Sequence, residues 1–113
     1  MEKKNVVEAV QYQEERFTKK ILFKQGDSVV FVLNFMPGQQ LPVHKHPGAD
    51  VYLLALKGSG TIYVDDIEQE FNEGDVLYID GEESFAYRNS STASSSLHVV
   101  IAKVLGPAYT QEI

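Results

Sequence analysis

The sequence contains no cysteine and no tryptophan. Without thiols there is no disulfide, no thiolate metal site and no thiol nucleophile. Basic residues are also in short supply, with ten Lys and Arg against sixteen Asp and Glu, for a formal net charge of −6. That balance argues against nucleic acid and membrane surfaces as partners, because both attract a basic patch. A modest negative charge otherwise serves solubility. No apolar run approaches the roughly 18 residues of a membrane helix. The opening Met1-Glu2-Lys3-Lys4-Asn5 is followed only by Val6-Val7 before Glu8, unlike a secretory leader. A cytoplasmic location is the expectation. Helical periodicity is scarce beyond the first fifteen residues, and no repeat of solenoid or propeller length is present. Gly58-Ser59-Gly60 opens no helix pattern, which argues against a phosphate loop, and Ser94 to Ser96 lack a nucleophile-elbow setting.

What is present is β structure. The chain has 113 residues, 43% of them hydrophobic, with six Tyr and six Phe, enough for one core. Phe17, Ile21 and Phe23 fall on alternate positions and end at Gln25-Gly26-Asp27. Val29 to Phe35 is almost continuously apolar, as expected of a strand buried on both faces. Further short segments run over Leu41–His46, Val51–Leu56, Thr61–Val64, Ile67–Phe71, Val76–Ile79, Ser84–Asn89 and Leu97–Val104. Asp65-Asp66 suits a tight hairpin turn, since Asp tolerates left-handed backbone. Val6 to Val10 fits a helical turn or an edge strand equally. The cadence predicts one all-β domain over 1–113, a sandwich or barrel with its core at about 16–105. Residues 1–15 and the tail 106–113 are expected to be peripheral, and Ser90 to Ser96 to form a mobile hairpin loop.

His44 and His46 are one residue apart on a predicted strand, so both imidazoles point to the same face. Two neutral imidazoles close together make half of a site for a divalent transition metal, with Fe, Mn, Ni, Zn and Cu all suited to differing degrees. The alternative is a polar strand end with no ligand.

The surrounding residues resemble the cupin superfamily, in particular small single-domain RmlC-like cupins. Gly38, His44, His46, the acid Asp50 and Gly58 follow the first cupin motif, G-x5-H-x-H-x(3,4)-E-x6-G. Gly74 and Asn89 open and close a segment with the length of the second, G-x5-P-x-G-x2-H-x3-N, and Gly81 stands one place before its second glycine. The resemblance implies a cupin-type double-stranded β-helix, that is, a jelly-roll barrel. It also implies a metal held by the first motif's two histidines and glutamate and the second motif's histidine. Here Phe85 replaces that last histidine. The glutamate position, counted back from Gly58, falls on Val51, one residue past Asp50. His98 is the third and last histidine. If the final two strands form a hairpin about Ser91-Thr92, His98 lies opposite Phe85 and joins His44 and His46.

The expected metal set is therefore His44, His46, His98 and Asp50. Tyr52, Phe85 and Tyr87 are expected to line a pocket for a small, partly apolar ligand. Catalytic residues are not identifiable. The resemblance implies dioxygenase, isomerase or decarboxylase activity on a small metabolite. The alternatives are a metal-free binding or sensory module and a barrel with a decayed site. A homodimer is expected, because the apolar strand positions exceed what one face of a small barrel buries.

Overall fold

A computed structural model describes residues 1–103. The end of the last predicted strand, Val104, and the tail 106–113 lie outside the described residues. Nine strands follow in order: β1 (Thr18–Gln25), β2 (Ser28–Phe35), β3 (Gln40–His44), β4 (Ala49–Lys57), β5 (Gly60–Val64), β6 (Ile67–Phe71), β7 (Val76–Asp80), β8 (Phe85–Arg88) and β9 (Ser95–Lys103). They form a five-stranded sheet, β1-β2-β9-β4-β7, facing a four-stranded sheet, β3-β8-β5-β6. Every pairing is antiparallel. Among the described residues no helix is long and apolar enough to cross a membrane.

Alternation along the strands decides which side chains meet between the sheets. On the larger sheet Phe31, Leu33, Val51, Leu53, Leu97 and Val99 turn inward. They pack against Ile62, Phe71, Phe85 and Tyr87 of the smaller sheet. The Asp65-Asp66 turn has both residues in the left-handed region (φ 46° and 67°), the two-residue geometry that matches strand twist.

Val6–Ala9 is a single 3₁₀ turn, and the Asn5 side chain caps it by accepting from the Val7 amide. The N-terminal segment crosses the outer face of β1 and β2. The Lys4 ammonium donates to the Leu22 carbonyl, and the Ala9 carbonyl accepts from the buried Asn34 amide at 2.8 Å. At its far end the Tyr12 and Ser96 hydroxyls lie 2.7 Å apart. This cover explains why Phe31 through Phe35 are all buried, on both faces of β2.

The expected hairpin between the last two strands does not form. β8 pairs with β3 and β5 in the smaller sheet, whereas β9 lies between β2 and β4 in the larger one. The serine-rich segment is the crossing between sheets. Its later part is built into the fold, since Ser95 and Ser96 are fully buried at the start of β9. Asn89, also fully buried, holds the crossing in place: its side-chain amide donates to the Phe35 and Ala93 carbonyls, and its oxygen accepts from the Ser91 amide and hydroxyl.

Candidate functional site

His44 closes β3 opposite Phe85 of β8, and His46 follows just beyond the strand. Strand alternation therefore does not place the second imidazole. A backbone bond does: the His46 amide donates to the Gly81 carbonyl at 3.0 Å. Gly81 has to be glycine here, because a Cβ would collide with the His46 and Ala49 carbonyl oxygens. In the sequence Gly81 stands out only as the glycine one place before its motif position; here it lets the histidine loop lie against the β7–β8 turn.

The two imidazole rings meet edge-on, with centroids 4.8 Å apart and planes at 86°. The Phe85 ring sits against both, 4.3 Å from His44 and 6.0 Å from His46. His44 Nδ1 lies 2.8 Å from the Pro42 carbonyl. A carbonyl only accepts, so this nitrogen carries the proton, and in neutral His44 the lone pair is on Nε2.

These rings line a cavity of about 260 Å³ between the sheets. Phe31, Leu33, Val99 and Ile101 wall it from the larger sheet, Leu41 and Phe85 from the smaller, with Phe17 and Lys19 at the β1 edge. The Lys19 ammonium stands 4.4 Å from the Phe31 ring centroid, a cation–π distance. Among the described residues no carboxylate lines this cavity. His46 is held below its ordinary value of 6.5, first by burial and then by the positive fields of His44 and Lys19. Lys19 escaped the sequence reading, although it shares the alternation of Phe17 and Ile21, which was the available signal.

The remaining expected residues lie elsewhere. Asp50 and Tyr52 face outward on β4. Tyr78 donates to the Asp50 carboxylate at 2.7 Å, which pushes the Tyr78 phenol up to about 12. Tyr52 packs against Tyr78 with ring centroids 5.4 Å apart and planes tilted by 42°, and is 47% exposed. His98 is on the outer face of β9, between Val32 and Leu54, and burial lowers its pKa. The structure does not bring Asp50, Tyr52 or His98 to His44 and His46, because the inward alternation on β4 and β9 belongs to Val51, Leu53, Leu97 and Val99. Tyr87 does face inward, but into the packed core. It is 1% exposed, its hydroxyl lies 2.9 Å from that of Ser95, and it packs 4.8 Å from Phe35. Of the three expected pocket residues only Phe85 borders the histidine cavity.

Two facing antiparallel sheets with an imidazole pair lining the cavity between them define a jelly-roll barrel with an internal site. Residues 31–101 match the cupin domain family, and the chain belongs to it. Among solved structures it is similar to TT1209 from Thermus thermophilus, with a TM-score of 0.86 and 27% identity over 91% of this chain and 98% of that one. It is also similar to an RmlC-like cupin protein from Desulfovibrio desulfuricans, with a TM-score of 0.80 and 26% identity over 90% and 96% of the two chains. A curated relative, dimethylsulfoniopropionate lyase DddW of Ruegeria pomeroyi, is 39% identical over 56 residues. That match spans half of this chain but only 36% of the relative's length.

The metal implied by the resemblance does not fit the residues present. Val51, fully buried, occupies the carboxylate position, and Phe85 fills the space of the second motif's histidine. Among the described residues no group of three or more His, Asp or Glu converges. Two imidazoles remain beside an ammonium and apolar walls, a setting that disfavours a divalent cation.

Proposed function

We propose that this cupin is a metal-independent binding barrel for a small, partly apolar metabolite, with His44 and His46 acting as hydrogen-bonding groups. The observation that carries this reading is the composition of the cavity: two imidazoles and one ammonium as its polar side chains, the rest apolar, and no carboxylate among the described residues. Ligand pockets generally combine a mainly apolar lining with a few placed polar groups.

The test uses tag-free protein produced with Mn, Fe, Ni, Zn or Cu supplementation. Metal analysis is expected to find sub-stoichiometric metal in every preparation. A thermal-shift screen of small organic acids, alcohols and amines, including dimethylsulfoniopropionate, is expected to find stabilising ligands that His44→Ala/His46→Ala abolishes. Stoichiometric metal bound through those histidines would overturn the reading.

Assembly as a homodimer fits the outer face of the larger sheet. The N-terminal segment covers one half of that face; Tyr52, Leu54, Val76, Tyr78 and Val100 form the other. With Tyr52, Tyr78 and Val76 exposed at 47%, 52% and 76%, this half is an apolar patch. A contiguous apolar surface of this kind is one that a protein partner covers. Tyr52→Arg should convert a dimer to a monomer in sedimentation equilibrium, and a monomeric wild type would refute this assembly.

A further inference from the structure

Resting on the binding-barrel reading, we infer that the ligand is a small monocarboxylate whose anionic head is held by Lys19 and His46 and whose apolar tail lies along Phe31, Val99 and Ile101. Acidic residues outnumber basic ones sixteen to ten in this chain, yet the cavity's charged and ionisable side chains are all basic. Among the described residues the one ion pair within 4.0 Å is Lys103 with Asp27, so no carboxylate neutralises Lys19. Its ammonium is set over the Phe31 ring, at the edge of the opening. The positive field it casts on His46 is met by no acidic side chain. Such a mouth is complementary to an anion: the ammonium supplies a charge-assisted hydrogen bond to a carboxylate, and a neutral His46 ring keeps one N–H to donate beside it, whereas the Nε2 lone pair of His44 only accepts.

The rest of the cavity sets the tail. Four aliphatic side chains and three phenylalanine rings leave no polar partner for a second charged group. A volume of about 260 Å³, at ~30 Å³ per water-sized group, holds roughly eight non-hydrogen atoms. A six-carbon monocarboxylic acid has that size.

Hexanoate, hexanamide and hexylamine present nearly one shape with a negative, neutral and positive head. Titration calorimetry at pH 7 is expected to rank hexanoate at least tenfold tighter than hexanamide, with no binding of hexylamine. Lys19→Gln should weaken hexanoate about tenfold and leave hexanamide unchanged, while Lys19→Arg restores most of the affinity. Hexanamide binding as tightly as hexanoate, or hexanoate affinity indifferent to Lys19→Gln, overturns the carboxylate assignment and leaves the binding barrel intact. If none of the three probes binds, and the wider ligand screen finds nothing that depends on His44 and His46, the barrel reading fails and this inference with it.

Discussion

Replacing Phe85 with histidine tests why this barrel's donor set does not suit a metal. The Phe85 ring is 3% exposed and lies 4.3 Å and 6.0 Å from the two imidazoles, so Phe85→His aims a third imidazole between them. The substitution gives up part of the ~1.5–3 kcal/mol of a buried Phe. It also leaves an imidazole N–H without a partner, at about 1–3 kcal/mol. A net loss of ~3 kcal/mol lowers Tm by roughly 12–24 °C in a domain of about this size. Three imidazoles are a complete protein ligand set for zinc. With free Zn²⁺ at a hundred times Kd, binding returns about 2.7 kcal/mol, most of what the substitution removed. Differential scanning calorimetry on tag-free protein, with and without Zn²⁺, reads both effects. The variant is expected to melt low without metal and to recover on adding it, while the wild type barely responds. Equal zinc stabilisation of the wild type would refute the donor-set reasoning. A folded variant indifferent to zinc would show that Phe85 is not the obstacle.

His46 and His98 are both held below 6.5, chiefly by burial, so the folded chain binds fewer protons than the unfolded one just below that pH. Their contribution to stability is present above pH 6.5 and lost as pH falls through the lowered folded values. Tm should therefore drop between pH 7 and 5, and His46→Gln/His98→Gln should flatten that slope; an unchanged slope would contradict the burial argument. Gly81→Ala drives a methyl group against the His46 and Ala49 carbonyls. Overpacking of that kind costs about 1–3 kcal/mol, and ligand affinity should fall at least tenfold as His46 is displaced; unaltered affinity by calorimetry would free His46 from its dependence on Gly81. Asn34→Ala removes bonds to Ala9, Thr18 and Ser96. At ~1 kcal/mol each it costs about 3 kcal/mol, and limited proteolysis should then cut within residues 1–12; protection equal to wild type would show that Asn34 does not hold this segment.

The fold was legible because apolar alternation and turn residues mark strands wherever they fall. The apolar run Val29–Phe35 announced burial on both faces, which holds over Phe31–Phe35, and Asp65-Asp66 announced its turn through backbone tolerance. What alternation does not reveal is which alternate set faces inward. On β4 the choice between Val51 and Tyr52 depends on contacts with β7 and β9, which lie far off in sequence, and it decided the fate of Asp50 as well. His98 was misplaced for a related reason. Consecutive strands joined by a short polar loop suggest a hairpin, but a jelly roll sends them to opposite sheets. The serines obscured this further, because Ser95 and Ser96 are buried by hydrogen bonding to Tyr87, Asn34 and Tyr12, not by hydrophobicity. His44 and His46 were legible through spacing, whereas Lys19 was hidden by its charge in a position that alternation marked as inward.

The strand order has a consequence for how the molecule is made. β9 lies in the middle of the larger sheet, so until residues 95–103 leave the ribosome that sheet exists only as two separate ribbons, β1–β2 and β4–β7. The same strand carries Val99 and Ile101, one wall of the histidine cavity. Synthesis from the N-terminus thus delivers both imidazoles some fifty residues before the wall they need. The nascent chain has no closed pocket to load, and assembly of the barrel and completion of its binding site are a single late event.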